Sequence, residues 1–469
     1  MTALRSNLLF ALYAMLLAIR VDAQQFIGLN TTKFSAIQHM ATNPAWVAAA
    51  SNGNELMLFS VSALAGTNTF TISKKFVFEG FGGAGKEGKN SAYLRNPELG
   101  YKHLWANIEY NGPAFSYKYK DEHFFGIFTR ARQIFRAGNI NSSALQILGK
   151  EVDESFFGAP VGFRKAGFST HSFAEVGISY GRILYNDYYH LLRGGVSVKY
   201  LMGFVGGSIY TNDLGFTTEN DDSISLKGDL NLAYTHNIGA FVDNNVQNDL
   251  TSWFTRAGRG GLGLDIGAQY EYHPEGNPNR PTPYLFSVSA SLTDLGSIGY
   301  VADTGSGSYE LNISNRYDTS ISKISYEGIN DYMMRMERDS LTGKSEKIEK
   351  FRMGLPTAFR LSADYNVSEK MNFAVNMLLN LRGNTRDIYR PAYVNYLNMT
   401  ATFGGKNFNV GLPFTVIGYQ TFAIGAIVRT GPFYIGSTSA LGMLMSRRLS
   451  NIDVYAGFVW KFRRDVYRH

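Results

Sequence analysis

Strict alternation between apolar and polar residues over 262–272 constrains this chain more than any other feature. Every second residue there is apolar or aromatic, and glycine, Asp265, Gln269 and Glu271 lie between them. A period of two predicts a β-strand whose two faces meet different surroundings. About 11 residues is also the length at which a tilted strand crosses a bilayer.

The same alternation recurs along the chain, with Tyr, Phe or Trp often at the ends of the apolar face. Further segments that show it are 174–181, 196–200, 286–293, 359–365 and 454–462. A water-soluble sandwich would bury its apolar faces, whereas a membrane barrel turns them to lipid and its polar faces to the lumen. Strand number and length favour the barrel. We predict an all-β fold, a single transmembrane antiparallel β-barrel of about 14 strands (range about 12–16), with an N-terminal plug-like segment.

Composition agrees with a barrel and excludes several other classes. Aromatic residues make up 14% and the chain has 49 glycines, which suits many strands and turns. It has no cysteine, so disulfide scaffolds, thiol catalysis and thiolate zinc sites are excluded. The formal charge of +7 is scattered, without a block of like charges, so no nucleic-acid partner is expected.

The first 23 residues have the layout of a secretory signal peptide. Arg5 precedes an apolar stretch over 8–19, and Ala23 ends a small-residue cleavage site. No later apolar run reaches the roughly 18 residues of a spanning helix. We therefore predict export by a cleaved signal peptide and residence in the outer membrane of a Gram-negative cell. Outer-membrane lipid and lipopolysaccharide would be the surrounding partners.

The mature chain divides into a short leading segment and the barrel. Residues 24–50 lack alternation and contain the triplet Asn43, Pro44 and Ala45, which is either an ordinary turn or part of a hatch that folds back into the lumen. The barrel is predicted over 51–469. Within the barrel, 303–351 is predicted as a long loop insert, and its charged part at 327–350 could be helical. The polar stretches 138–170 and 212–228 are also predicted as loops.

One strand is interrupted by Gly112 and Pro113. Proline cannot donate to a strand ladder, so a bulge, kink or turn is expected there. Two interpretations stay open: a plain turn or bulge, or a kink in the wall that opens a lateral portal.

Charged residues on the polar faces are candidates for lining the lumen. They are Arg130, Arg132, Glu175, Lys199, Asp265, Glu271, Arg360 and Asp364. Asp265 and Glu271 share a face and admit a hydrolase dyad, but acids that pair with bases along a polar lining are the favoured interpretation. The glycine-rich stretches 80–87 and 258–263 lack the helix that a phosphate or dinucleotide loop needs. We predict no catalytic residues, no metal, no cofactor and no enzyme activity.

Several segments resemble a known family. Residues 193–203, 261–272, 287–300, 355–376 and 431–462 resemble, in that order, an uncharacterised outer-membrane β-barrel family of Bacteroidota. The early triplet is similar to the N-terminal hatch of FadL-type fatty-acid and hydrocarbon transporters, and PorV and the PorP/SprF barrels of type IX secretion share related features. The resemblance implies an outer-membrane barrel and carries a hatch role onto Asn43, Pro44 and Ala45.

Two functions are compatible with these patterns. The first is a passive transporter or channel for small molecules, hydrophobic ones among them, through a lumen gated by 24–50. The second is a non-transporting accessory or structural barrel that holds a secretion or surface-assembly complex, with the proteins of that complex as partners.

Overall fold

The computed structural model describes sixteen segments of the chain. They are 27–29, 36–49, 54–68, 70–73, 92–94, 101–120, 122–141, 161–220, 223–238, 257–274, 284–313, 342–381, 391–405, 407–418, 421–446 and 448–462. The predicted signal peptide (1–23) and the glycine-rich stretch 80–87 lie outside the described residues.

The described chain is almost entirely β-structure. The strands are β1 (Glu55–Thr67), β2 (Phe70–Ser73), β3 (Ala92–Leu94), β4 (Tyr101–Tyr119), β5 (His123–Asn141), β6 (Val161–Asn186), β7 (His190–Asn220), β8 (Ser223–Tyr234), β9 (Gly258–Tyr272), β10 (Phe286–Val301), β11 (Gly307–Ile313), β12 (Thr342–Lys347), β13 (Lys350–Gly354), β14 (Ala358–Ser368), β15 (Met371–Asn380), β16 (Tyr396–Gly404), β17 (Phe408–Ile417), β18 (Thr421–Ile424), β19 (Ala426–Thr430), β20 (Phe433–Ser437), β21 (Arg448–Leu449) and β22 (Asn451–Lys461). The helices are α1 (Ala36–His39), α2 (Ala440–Met445) and the 3-10 helices Pro44–Ala49 and His236–Ile238. No helix in these segments is long and apolar enough to cross a membrane.

β2, β3 and β21 pair in a separate three-stranded sheet. The other strands form one sheet, whose wall closes as an antiparallel barrel of 14 strands and confirms the predicted fold class. β1 closes it by pairing with β22 on one side and with β4 on the other. β13 and β14 lie one after the other against β10 and share one position in the wall. β18 and β19 share another position against β17. Closure leaves no free edge, so every wall strand has neighbours for its backbone groups.

Alternation along each strand separates an apolar outer face from a polar inner face. On the outside Ile178 is 63% exposed and Leu262 is 68% exposed. On the inside of the same strands Ser179 and Asp265 are 0% exposed. A closed barrel with this polarity suits an apolar surrounding and a polar interior.

The two ends of the barrel differ. At one end, the turn end, neighbouring strands are joined by short connections at 119–123, 186–190, 368–371, 404–408 and 430–433. A further connection at this end, between β9 and β10, is longer and spans 273–285. At the other end, the loop end, most connections are long, and the one between β17 and β18 at 417–421 is short. Aromatic side chains gather at the turn end, where Phe125 contacts Tyr180 with ring centroids 5.4 Å apart and Phe433 contacts Phe458 at 4.7 Å. Such a girdle is typical of strand ends at a membrane interface.

At the loop end the sheet continues beyond the barrel as an extension of β7, β8, β11 and β12. β7 is 31 residues long, and its first part pairs with β9 while its second part pairs with β8. β11 then lies between β8 and β12. The extension has a core of its own that includes Val205, Tyr234 and Tyr309.

Three predicted loops are therefore partly wrong. β5, β6, β7 and β8 run far into 138–170 and 212–228, and β11, β12 and the start of β13 occupy the described parts of 303–351. The possible helix at 327–350 is a strand over Thr342–Lys347, and 314–341 lies outside the described residues. The sequence of these strands does not alternate between apolar and polar residues, because their outer surfaces meet water and carry polar residues. Arg164 and Asp213, paired across β6 and β7 with side chains 78% and 71% exposed, are an example.

The interruption in β4 is a bulge. Gly112 has a φ of +111°, and the register between β4 and β5 shifts between Asn111 and Ala114. β1 stays paired with β4 on both sides of this point, and the backbone of Leu58 packs against Gly112. A continuous pairing across the bulge favours the plain bulge over a lateral portal.

Candidate functional site

Residues 36–49, the N-terminal insert, lie inside the barrel near the turn end. α1 and the 3-10 helix Pro44–Ala49 are buried except for the half-buried Ala49. The wall makes room for the insert with inward-facing glycines, at which a Cβ would collide with the side chains or backbone of the insert. These are Gly126, Gly181, Gly195 and Gly267, the last three direct register partners on β6, β7 and β9.

The triplet predicted as a hatch lies at the centre of this contact. Asn43 Nδ2 donates to the backbone oxygens of Ala268 and Ala290, both at 3.3 Å. Its Oδ1 accepts a hydrogen bond of 3.0 Å from the backbone N–H of Ala45. Pro44 lies against Gly195. Asn43 therefore fixes the turn and attaches it to the wall between β9 and β10.

Other hydrogen bonds between the insert and the wall involve the backbone of the insert. Ser291 Oγ donates to the Thr42 oxygen at 2.7 Å, and the Ile37 N–H donates to Glu55 Oε2 at 2.8 Å. Arg130 Nη1 reaches the Ala41 oxygen at 3.4 Å. The insert itself contains no Asp, Glu, Lys or Arg, so none of the ion pairs inside the barrel depends on it.

A buried ionic cluster lies next to the insert on its loop-end side. Its members are Arg130, Arg132, Glu175, Lys199, Asp265 and Asp294, with side chains at most 1% exposed. Glu175 accepts hydrogen bonds from Arg130 Nε at 2.5 Å and Arg132 Nη2 at 2.6 Å. Lys199 Nζ donates to Asp265 and to Asp294, both at 2.7 Å. Glu175 and Asp265 thus neutralise bases on neighbouring strands, and Asp294 of β10 neutralises bases on the more distant strands β5 and β7. Burial of charge requires such pairing.

Asp294 is the central acid of this cluster and was missed by the sequence analysis. It accepts from Arg132 Nη1 at 2.7 Å as well as from Lys199. Its φ is +63°, and the register of β10 against β9 shifts between Leu292 and Leu295. The bulge turns two consecutive residues, Thr293 and Asp294, inward. The signal that could have found it is the phase change of the apolar residues, which are three apart at Leu292 and Leu295.

The remaining predicted lumen residues are also buried inside, with other partners. Glu271 pairs with Arg193 Nη1 at 2.6 Å. Asp364 accepts hydrogen bonds from Tyr284 and, at 3.2 Å, from Asn372. Arg360 donates to Thr293 Oγ1 at 3.2 Å, and its guanidinium lies 5.7 Å from the Tyr393 ring centroid.

A second segment, 391–395, enters the lumen from the loop end, and no sequence signal indicated it. Ala392, Tyr393 and Val394 of this loop insert are at most 4% exposed. The Tyr393 hydroxyl accepts a hydrogen bond from Arg132 Nη1 at 2.6 Å, and Arg136 Nη1 donates to the Tyr393 backbone oxygen at 3.1 Å. Tyr393 and Val394 belong to an apolar cluster with Trp105, Phe173 and Tyr300, among others.

Three layers therefore fill the barrel from the turn end to the loop end: the N-terminal insert, the ionic cluster and the apolar cluster. The inner residues of β5 show this order, with Gly126 under the insert, Arg130 and Arg132 in the ionic cluster and Ile134 in the apolar cluster. A cavity of about 10 Å³ remains between the insert and the wall, which is room for about one water molecule. Its lining includes Asn43, Trp46 and Asn376.

The chemistry that this interior offers is binding and closure. Asp265 and Glu271, considered as a possible dyad, are each engaged by a base, Lys199 and Arg193. Within the described segments, no three His, Asp or Glu side chains come together in a way that could hold a metal ion.

Solved barrel structures are similar to this chain at low identity. The toluene transporter TodX of Pseudomonas putida is 9% identical with a TM-score of 0.43, over 95% of this chain and 100% of TodX. A FadL homologue of Pseudomonas aeruginosa is 10% identical with a TM-score of 0.42, over 93% of this chain and 96% of the homologue. The translocator domain of the autotransporter NalP from Neisseria meningitidis is 10% identical with a TM-score of 0.32, over 87% and 88% of the two chains.

No curated protein matches the sequence. A family model matches residues 44–438, from the 3-10 helix that begins at Pro44 to the residue after β20. The chain belongs to the family of unknown function DUF5723.

Proposed function

We propose that the protein is an outer-membrane conduit for small molecules, closed in this structure by the N-terminal insert and the loop insert. Support for the membrane comes from the closed barrel, its apolar outer face and the aromatic girdle at the turn end. Short turns face the periplasm in such barrels and long loops face outside. The N-terminal insert would then close the periplasmic half, and the loop insert the outer half.

The observation that carries this proposal is the distribution of charge between the insert and the wall. Arg130, Arg132 and Lys199 are neutralised by acids of the wall, while the insert contributes no Asp, Glu, Lys or Arg. Departure of the insert breaks no ion pair among the described residues, although Glu55 Oε2 and Arg130 Nη1 each lose a hydrogen bond to its backbone. Leaving a buried charge without an opposite charge is the costly step in such rearrangements. A removable closure therefore fits this interior better than a permanent one.

The mechanism would be passive diffusion. Undocking of the insert exposes the glycines and polar residues of the wall, and the solute moves down its gradient past the ionic cluster. The loop insert must also withdraw, since Tyr393 lies over that cluster from the other side. We propose no catalytic step and no cofactor for this function.

A disulfide lock tests the proposal, because the chain has no native cysteine. Met40 packs against Gly126, so the pair Met40→Cys and Gly126→Cys would tie the insert to β5. In proteoliposomes the reduced protein should let small solutes enter, and the oxidised protein should not. The single variant Met40→Cys, which adds no atom to the wall glycine, is the control. Equal entry under both conditions, or entry under neither, would contradict the removable closure.

One observation favours the second function, an accessory barrel of a surface or secretion complex. The extension of β7, β8, β11 and β12 projects beyond the barrel with its own core, and a protein partner could dock there. Stoichiometric recovery of a partner protein after gentle extraction, combined with no entry of solutes in the lock experiment, would support this function instead. The relation to the PorV and PorP/SprF barrels stays a prediction of the sequence resemblance.

A further inference from the structure

One part of the inner wall, on β15, β16 and β17, presents amides and hydroxyls in place of charges. We call it the uncharged face. Its polar residues include Asn372, Asn376, Asn398, Thr400, Thr402 and Asn409, each at most 2% exposed. They are neighbours across the sheet, since Asn376 lies opposite Asn398 and Asn372 opposite Thr402.

Several polar atoms of the uncharged face have no hydrogen-bond partner in the described part of the chain. They are both side-chain polar atoms of Asn376, Oγ1 of Thr402, Oδ1 of Asn409 and Oδ1 of Asn372. Buried amides and hydroxyls in proteins are normally satisfied by protein groups or by water. The uncharged face therefore has hydrogen-bonding capacity available to a molecule in the lumen.

The unpartnered amide of Asn376 opens onto the cavity between the insert and the wall. The opposite side of this cavity is formed by Thr42, Asn43 and Trp46 of the insert. An aromatic ring among amides and hydroxyls provides a flat apolar surface together with hydrogen-bond donors and acceptors. Small-molecule sites combine these two kinds of group to hold and orient a ligand.

We propose that the uncharged face is the solute-binding face of the conduit and that its solute is a small uncharged molecule rich in hydroxyl or amide groups. This inference rests on the proposed function and names the substrate class for it. Such a solute satisfies the free amide and hydroxyl atoms when the insert undocks.

The chemistry of the face argues against the two other classes of solute. A hydrophobic molecule would leave the amides of Asn376 and Asn409 without hydrogen-bond partners. Burying a polar group without a partner costs free energy and disfavours such a solute. An ion would lose its hydration without gaining an opposite charge on β15, β16 or β17. Arg360 of β14 also lines the cavity, but its guanidinium is engaged by Thr293 Oγ1 and the Tyr393 ring. The acids and bases of the ionic cluster are already paired with one another.

The test compares the protein-dependent entry of three probes into proteoliposomes: arabinose, sodium gluconate and toluene. Entry of each probe is counted above its entry into protein-free liposomes, because toluene crosses lipid unaided. Arabinose should enter faster than the other two through the reduced lock variant. Asn376→Leu should slow arabinose entry by about two- to tenfold, the effect of losing one hydrogen bond. Val375→Leu, on the outer face of the same strand, is the matched control and should leave entry unchanged.

Thr402→Val is the second variant, since it removes one unpartnered hydroxyl with little change in shape. It should also slow arabinose and not gluconate. Faster entry of gluconate or toluene than of arabinose, or unchanged arabinose entry in both folded variants, would overturn the inference while the conduit stands. Failure of all three probes to enter the reduced lock variant would overturn the proposed function itself.

Discussion

Buried polar groups are satisfied in different ways in two halves of the inner wall. On β5–β10 the wall carries full charges, and these are held by one another at 2.5 to 2.7 Å. On β15–β17 it carries amides and hydroxyls, and several of these lack a partner among the described residues. The first half is held mainly by its own ion pairs, although Asp265 Oδ2 and Arg132 Nε also lack a partner among the described residues. The second half relies on amides and hydroxyls and is open to exchange of water or solute. The N-terminal insert lies between these two parts of the wall. Its docking therefore brings the part held by ion pairs next to the part that can exchange water.

The largest expected effect comes from breaking the charged half. Glu175→Gln removes the acid shared by Arg130 and Arg132, and breaking a buried pair costs about 3–5 kcal/mol. The free energy of unfolding, measured in lipid with urea, should fall by about that amount. Glu310→Gln on the exposed part of β11 is the control and should stay within about 0.5 kcal/mol. Equal effects of the two substitutions would show that the ionic cluster does not fix this half.

Tyr393→Phe probes the contact between the charged half and the loop insert. It removes the hydrogen bond of 2.6 Å from Arg132, and a bond to a charged group contributes about 1.5–3 kcal/mol. Amide hydrogen exchange over 391–395 should accelerate accordingly. Tyr365→Phe, on the outer face of β14, should not change it. Unchanged exchange in Tyr393→Phe would mean that the loop insert is held by packing alone.

Gly195→Ala separates docking of the insert from the stability of the wall. The added Cβ would collide with the Pro44 and Ala45 backbone, and overpacking costs about 1–3 kcal/mol. If this cost falls on docking, the undocked population rises by about 5- to 150-fold, measured as solute entry into proteoliposomes. Gly299→Ala, with no atom within 4 Å of the new Cβ, is the matched control. Equal solute entry in both variants would contradict the inference that the wall glycines make room for the insert.

The smallest effect is expected on the uncharged face. Thr402→Val should change the free energy of unfolding by less than about 1 kcal/mol if water already satisfies the hydroxyl. Ser179→Ala in the charged half loses a bond of 2.6 Å to Ser197 and should cost about 0.5–1.5 kcal/mol. Stabilisation of Thr402→Val by about 1–3 kcal/mol would instead indicate a dry, unsatisfied hydroxyl. That outcome would contradict a hydrated face.

Period-two alternation was enough to predict the barrel and the inward direction of the charged residues. It could do so because a strand in a wall between two environments repeats its faces every second residue. It failed where that condition ends. The bulge at Asp294 reverses the phase. In the strands that run beyond the barrel, the outer face meets water and carries polar residues such as Arg164 and Asp213.

The pairing of charges could not be predicted, because partners are set by the register between strands. Arg193 and Glu271 are 78 residues apart in sequence and pair at 2.6 Å because β7 and β9 are neighbours. Lys199 meets Asp294 across 95 residues although β9 lies between β7 and β10, because the bulge in β10 turns Asp294 inward. The loop insert has no periodicity of its own, so only the folded barrel shows that it enters the lumen.

Native-state hydrogen exchange of the protein in liposomes tests the removable closure most directly. Amides of residues 36–49 should exchange through a local opening, well before those of the wall strands β6 and β7, whose exchange requires unfolding of the barrel. The oxidised pair Met40→Cys and Gly126→Cys should remove this early exchange, and reduction should restore it. Exchange of 36–49 as slow as that of β6 and β7 in the unlocked protein would show that the insert is a permanent part of the barrel and would contradict the account.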